Sequence, residues 1–582
     1  MALAAGLCPA QTPSHEVVVV TGTVEPIPLE EIDRSVDVLP VAGQAALETG
    51  LTDFLRLDPS VDVMSRAPGG VQTDVSIRGG SFGQTLVLLN GQRLNDAQTG
   101  HHDMDIPLPL DAVDRVEVLR GSGSTLYGSD AVGGVINIVT RPPEATEVRL
   151  STAAGSFGSN EERVTLGTVF RQFAEELSFS RDFSDGFMPD RDYRNLSLAS
   201  ETYGRSALGS SILALGYSDR PFGADQFYGD YDSWENTKTW FASLVQDLGQ
   251  GTQAAFSFRR HSDWFVLLRD QPDVYQNHHA DETFQLSIRR AQPLAANTSL
   301  DYGVEGYGDT IESTNLGDHN RSRAAAYVSL DARALRRFSF SVGLREEMYH
   351  WGRGELSPTV AAGAWLSSRW KLRAGASRAF RIPTYTDLYY QDPANIGNPN
   401  LQPETAWSYE AGADWRRSDR FRFSATAFER RERNDIDYVR ATTADPWQAM
   451  NIARLHFTGV EASAAIVPAR GQELTVSYTA LTGAEQALGG LLSKYVFNYP
   501  AQSGVVSWQG GLYGVVARAR LGAVKRLGQA PYALVDVSAG YGKGRLRPFL
   551  RLTNLGNTGY QEIAGVAMPG RAAMGGVEVV VK

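Results

Sequence analysis

From about residue 145 to Lys582 the chain alternates apolar side chains with small or polar ones, segment after segment, and this pattern excludes most folds. In FSFSVGLR, Phe338, Phe340, Val342 and Leu344 share one face while Ser339, Ser341, Gly343 and Arg345 share the other, because successive side chains of a strand point to opposite sides. VDVSAGYG repeats the rule, with Val535, Val537, Ala539 and Tyr541 opposite Asp536, Ser538, Gly540 and Gly542; FRFSATAF puts Arg422, Ser424 and Thr426 on its polar side. Alternation alone also suits a soluble sandwich. Length separates the two, since about 440 residues with almost no helical periodicity are too many for one sandwich. A large membrane barrel uses roughly 10 residues per tilted strand, with an apolar exterior and a polar lumen, and its antiparallel strands satisfy each other's backbone groups. Twenty-two strands at roughly 20 residues each, connections included, fit short turns on one side and longer loops on the other.

Residues 44–140 follow a different grammar. AALETGLTDFLRLDP has helical spacing, with Leu51, Phe54 and Leu55 on one face, and the short strands DVSIR, TLVLLN, RVEVL and VINIV follow, separated by glycines. The proline pair of RPPE, Arg141 to Glu144, ends the module. The expected architecture is all-β and transmembrane: a 22-stranded antiparallel β-barrel over 145–582 with an α+β plug domain, 44–140, in its lumen. Upstream, MALAAGLCPAQ reads as a residual secretory signal or a disordered N-terminus over 1–15, with Cys8 and Ala10 at the −3 and −1 positions of a cleavage site. No window approaches the roughly 18 apolar residues of a membrane helix. The single cysteine, Cys8, makes no internal disulfide, and a net charge of −11 argues against a nucleic-acid partner.

Two glycine-rich stretches imitate enzyme motifs. In RGSGSTLYGSDAVGGVINIVT, Gly123 and Gly128 have Walker A spacing, but Ser129 and Asp130 stand where Lys and Ser/Thr belong. The dinucleotide pattern fails at Leu126, and the glycines lead into a strand rather than a helix N-terminus. GGSFG, Gly79 to Gly83, matches a nucleophile elbow around Ser81, but that elbow needs a helix after the turn, and TLVLLN is strand-like. It reads as a glycine hairpin. No H-E-x-x-H and no triad on a plausible scaffold is present, so the chain is expected not to be an enzyme.

VDRVEVLRGSGSTLYGSDAVGGVINIVT resembles the plug signature of TonB-dependent outer-membrane receptors, and DVSIRGGSFGQTLVLLNGQRLND resembles the plug segment before it. The likeness continues at SRAFRIPTYTDLYYQDPANIGNPNLQPETAWSYEAG and at NLGNTGYQEIAGVAMPGR; within the family, LYGSDAVGGVINIVT is similar to the cobalamin-receptor branch. The resemblance implies an outer-membrane location and a role for the glycines in close backbone approach inside the plug. It implies that Glu16, Val17, Val18, Val19, Val20 and Thr21, in the 16–43 segment, are a TonB box that adds as a strand to periplasmic TonB; the alternative is an ordinary first strand of the plug. It also matches Arg78 and Arg120 to plug arginines that face barrel glutamates, with Glu404, Glu410 and Glu461 as candidates for a plug–barrel latch.

On the ligand side, the loop NDAQTGHHDMDIP lies where the family places its outward-facing apical loop. Gln98, Thr99, His101, His102 and Asp103 are the candidate substrate contacts, and imidazole with carboxylate suits a metal or metal chelate; a polar loop tip or a plug-packing contact is the simpler explanation, since neighbouring strand residues point opposite ways. RDFSDGFMPDRDYRN crowds Asp182, Asp185, Asp190 and Asp192, and FGADQFYGDYDSWE adds Asp225, Asp230 and Asp232. Oxygen-rich loops suit calcium, the resemblance implies calcium-ordered outer loops with Asp190 and Asp192 at a comparable place, and a solvated acidic loop is the alternative. No other cofactor is expected. His261, His278 and His279 sit among aromatics as a pocket rim or a membrane-edge girdle. The implied function is import of a scarce small ligand, cobalamin or another corrinoid, by a monomer embedded in outer-membrane lipid and coupled to TonB. A ferric siderophore is the alternative ligand; a passive porin or a surface binding protein is the alternative from another class.

Overall fold

The structure, a computed structural model, describes residues 18–19, 21, 27–335, 337–349, 353–484 and 488–582. Twenty-two antiparallel strands close into one barrel, from Glu147–Gly155 to Ala572–Val581, and the last pairs with the first, Val148 opposite Val581 and Gly155 opposite Met574. Closure leaves no open edge, which a lipid environment requires. No helix among the described residues is long and apolar enough to cross a membrane; the crossing is made by strands. Short turns such as Gly249 to Thr252 alternate with long loops such as Arg381 to Glu404, which places the short turns on the periplasmic side and the long loops outside.

The alternation read from sequence sorts residues between lipid and lumen. Phe338, Val342 and Leu344 are exposed on the outer face while Ser339 and Arg345 are buried inside. Outward residues meet in cross-strand pairs: Leu150 opposite Val164, Tyr217 opposite Trp240 with rings 4.2 Å apart, and Phe258 opposite Phe284 with rings 5.0 Å apart. Such pairs are the stabilising unit of a sheet. Inward charges are paired, as Glu161 is with Arg163 at 2.8 Å and Arg551 at 3.0 Å, since burying an unpartnered charge costs several kcal/mol.

The plug is built on a mixed five-stranded sheet ordered Val36–Pro40, Val113–Arg120, Gly134–Thr140, Thr85–Leu89, Gln92–Arg93. Its core, including Phe54, Leu55, Val75, Val87, Val116, Val118, Ile136 and Ile138, is buried. Four sequence expectations need correction. The sheet starts at Val36, upstream of residue 44; its partner lies some eighty residues on, Val36 opposite Leu119, so no local turn betrays the strand. The helix is reduced to Leu51–Leu55 with a 3-10 turn at Ala45–Leu47. GGSFG is not a hairpin: Thr73–Ile77 pairs with Val61–Ser65, whereas Thr85–Leu89 runs parallel to Gly134–Thr140, so the glycines link two sheets. Inside the glycine-rich stretch, Ser124–Tyr127 forms one helical turn.

The glycines of that stretch are required by proximity. Gly133 donates its N–H to the Gln84 carbonyl at 2.8 Å, and a Cβ there would stand 2.8 Å from the Ile77 carbonyl oxygen. Gly128 takes φ +76° between Arg345 and Glu347 of the barrel wall. Backbone atoms at Ile77 cannot swing away as a side chain would, so Gly133→Ala is expected to destabilise the plug by about 1–3 kcal/mol. Limited proteolysis of the purified protein should then cut the plug faster while the barrel keeps its heat-modifiable migration; wild-type cleavage would count against the crowding argument.

Candidate functional site: where the plug meets the barrel and the outer loops

Arg78 lies just beyond Thr73–Ile77 in a left-handed conformation, φ 53°, that aims its side chain out of the plug. Its guanidinium is bidentate to Glu461 of the strand Leu455–Ile466, Nε to Oε1 at 2.7 Å and Nη2 to Oε2 at 2.8 Å, and Nη1 donates to Glu410 of the strand Glu404–Ser418 at 2.9 Å. The Phe428 ring covers it at 4.4 Å, and the Arg78 carbonyl accepts from Arg430 at 3.1 Å. Burial opposes the charge of Arg78, but Glu461 and Glu410 outweigh it and hold its pKa above the ordinary arginine value.

The other latch candidates separate. Arg120 is held inside the plug, by Asp58 at 2.7 Å and Asp37 at 3.1 Å, and reaches Glu461 only at 3.9 Å. Glu404 contacts neither arginine; it takes Arg381 at 2.6 Å and the plug through Gln84 at 2.9 Å. Further plug–barrel ion pairs escape sequence reasoning altogether, among them two bidentate ones: Arg56 with Glu562 at 2.6 and 2.9 Å, and Arg526 with Asp62 at 2.7 and 2.8 Å. Nothing local marks them, because their partners lie more than four hundred residues apart in the chain.

Of the candidate TonB box, Glu16, Val17 and Val20 lie outside the described residues. Val18–Val19 pairs antiparallel with Ile27–Pro28. Thr21 is buried; its hydroxyl donates to Glu117 at 2.5 Å and accepts from Asn137 at 3.1 Å, two residues of the plug's central strands.

The apical loop is inside the lumen, and its side chains divide. Asp103 accepts from the Asp96 amide and the Asn95 side chain, both at 2.8 Å, knitting the loop to itself; burial pushes its carboxyl well above the usual range. The Thr99 hydroxyl caps the turn Gly100–His102. Gln98 donates to Asp263 of the barrel at 3.0 Å. His102 faces the same wall, Nε2 standing 3.5 Å from Asp263 and 3.9 Å from Glu235. His101 turns the other way: Nδ1 meets Asp74 at 2.8 Å and the ring stacks on Phe82 at 4.2 Å beside Tyr495, 5.1 Å from Phe82. Burial keeps the pKa of His101 below the usual histidine value despite Asp74. Lys494 lies over Tyr495 at 5.2 Å and over Tyr438 at 5.5 Å, so plug and outer loops together make an aromatic floor with one cation. Among the histidines of the strands nearby, His261 and His279 are buried in the lumen, while His278 stacks on Trp264 outside.

The acidic residues expected to hold calcium are not gathered. No three of Asp182, Asp185, Asp190, Asp192, Asp230 and Asp232 bring ligand atoms within 4.8 Å of one another among the described residues. Asp190 and Asp192 do converge, on Arg269, at 3.0 and 2.5 Å. A guanidinium thus neutralises the pair that sequence spacing offered to a metal ion, and Arg269 sits in a separate loop that spacing does not reveal.

The family model described as "TonB dependent receptor-like, beta-barrel" matches residues 144–555, and that described as "TonB-dependent Receptor Plug Domain" matches residues 28–135. The chain is 24% identical over 578 residues to the vitamin B12 transporter BtuB of Photobacterium profundum, covering 91% of this chain and 90% of that protein. It is 27% identical over 512 residues to the iron-regulated outer membrane virulence protein of Vibrio cholerae serotype O1, covering 79% and 76%. The solved siderophore receptor PirA from Acinetobacter baumannii superposes with a TM-score of 0.79 at 15% identity, over 94% of this chain and 98% of that one, a likeness of fold. A closed 22-stranded barrel, a plug in its lumen and two family matches that together span most of the sequence lead to one conclusion: the chain belongs to the TonB-dependent receptor family of the bacterial outer membrane.

Proposed function

We propose that this receptor imports a corrinoid, taken from outside onto the aromatic floor of Phe82, His101 and Tyr495 and released inward when TonB draws on residues 16–21. The observation that carries the reading is that floor: a plug ring, a plug imidazole and an outer-loop ring within 5.7 Å of one another, a surface that suits a broad, flat, partly apolar ligand. The near full-length likeness to a protein named as a vitamin B12 transporter supports it. One chain closes the barrel alone, consistent with a monomer. A passive porin needs neither a plug nor a coupling segment, and the Arg78 pairs tie the plug to the wall. The second reading, a ferric siderophore, is favoured by Lys494 over the two tyrosines, a cation placed to meet an anionic chelate.

Equilibrium binding to the purified receptor separates the two. Cyanocobalamin is expected to bind, and Phe82→Ala with Tyr495→Ala to weaken it at least tenfold, since stacking contributes about 0.5–1.5 kcal/mol per aromatic pair beyond buried area. Binding of a ferric catecholate with none of cyanocobalamin would replace the corrinoid by a siderophore. With Asp190 and Asp192 neutralised by Arg269, adding calcium or chelator is expected to change cyanocobalamin affinity less than twofold.

A further inference from the structure

We propose that the seam between the apical loop and the barrel wall binds one divalent first-row transition ion, held by His102 and Asp105 of the plug and His261 of the strand Thr252–Val266. The three ligand atoms already converge. His261 Nε2 is 3.2 Å and His102 Nδ1 is 3.7 Å from the same oxygen, Asp105 Oδ2, and the set lies within 4.8 Å overall. Donors of a tetrahedral zinc ion, with bonds of about 2.0–2.1 Å, stand roughly 3.4 Å apart. The two imidazoles are tilted by 34° with centroids 4.6 Å apart.

The surroundings are those of a metal site. Each histidine presents its second nitrogen to carboxylates: His102 Nε2 to Asp263 and Glu235, and His261 Nδ1 to Asp96 at 3.0 Å and Asp281 at 3.7 Å. A carboxylate near the second nitrogen of an imidazole ligand raises its basicity toward an ion. Arg220 holds the other oxygen of Asp105 at 3.5 Å and leaves Oδ2 free to ligate.

One further observation points to a ligand. His102 Nδ1 is fully buried and has no hydrogen-bond partner, in a residue 3% exposed; buried polar atoms are rarely left so. Five carboxylates, those of Asp96, Asp105, Glu235, Asp263 and Asp281, are buried around the two imidazoles and the guanidiniums of Arg220 and Arg259. A dication between neutral imidazoles would bring positive charge to this carboxylate-rich seam without placing two imidazoliums face to face. Mixed nitrogen and oxygen donors select zinc and its first-row neighbours over calcium or magnesium, which take oxygen. Because His102 and Asp105 belong to the plug and His261 to the wall, the ion joins two bodies that part during transport. The assignment is independent of which chelate is imported.

The test uses the full chain, purified in detergent and stripped with a chelator, titrated with Zn2+ by calorimetry and with Co2+ by visible absorption. One equivalent of Zn2+ and a Co2+ spectrum of a low-coordinate nitrogen/oxygen site are expected. His102→Gln and His261→Gln should each weaken Zn2+ binding at least a hundredfold, and Asp263→Asn, behind His102, by about 10–100-fold. Heat-modifiable migration identifies variants that retain the barrel; should His261→Gln fail to fold, His102→Gln on the plug decides. Absence of stoichiometric binding to the wild type would mean histidinium ion pairs and no metal, and unchanged affinity in His102→Gln would place any ion elsewhere; either result overturns the proposal. Cyanocobalamin binding, measured on the same samples, fails or succeeds separately.

Discussion

Replacing Val18 with proline is expected to abolish energised ligand uptake, to the level of cells lacking the receptor, while leaving equilibrium binding within twofold of wild type. The segment 16–21 is proposed to join TonB as an added strand, an interaction made by main-chain hydrogen bonds, and proline both removes an N–H and fixes φ. The aromatic floor is built from Phe82, His101 and Tyr495 of the plug and an outer loop, whereas Val18–Val19 pairs with Ile27–Pro28, so binding is expected to be spared. Uptake of radiolabelled cyanocobalamin by whole cells, compared with binding to isolated membranes, makes the measurement. Uptake at the wild-type rate would leave Val18–Val19 as an ordinary short strand beside the plug.

Arg78→Ala should loosen the plug more than any other single change at its wall. The substitution leaves buried Glu461 and Glu410 only their longer ion pairs, with Arg120 at 3.9 Å and Arg34 at 3.7 Å, and breaking a buried pair costs about 3–5 kcal/mol. The expected result is a plug that digests readily in limited proteolysis and a barrel that conducts in planar bilayers, where the wild type is closed. Arg78→Lys should fall between them, because an ammonium cannot reproduce the bidentate contact with Glu461. Arg120→Ala tests the distinction drawn by geometry: its principal partners, Asp37 and Asp58, are in the plug, so it should destabilise that module without opening the barrel. Equal conductance for Arg78→Ala and Arg120→Ala would remove the special role of Arg78.

What the sequence revealed and what it concealed divide along one physical line. Strand periodicity is local, so alternation alone sorts Ser339, Val342, Leu344 and Arg345 into lumen and lipid as the barrel does. Arg78 was legible through its motif, and two of its partners, Glu410 and Glu461, through theirs. Spacing is silent where charge meets charge across the fold: Asp190 and Asp192 read as oxygen donors in line, and Arg269 approaches them from another loop. His102 was legible as a candidate, whereas its union with His261 was not, since strand register alone brings residue 261 opposite the apical loop. The strand Val36–Pro40 was missed for the same reason, its ladder being made with Val113–Arg120 far along the chain.

That edge strand orders what tension on the N-terminus meets. A pull entering at residues 18–19 would meet the two hydrogen bonds of Thr21, then the Asp33–Lys371 pair at 2.9 Å and Arg34 beside Glu410 at 3.7 Å, before Val36–Pro40, which is held by a ladder on one side only. Peeling it away carries off Asp37, one of the carboxylates on Arg120, and Arg120 stands 3.9 Å from the Glu461 that grips Arg78. The sheet's outermost strand is thus the first part of the central sheet that such a load would reach, with one arginine between it and the pair of Arg78 with Glu461.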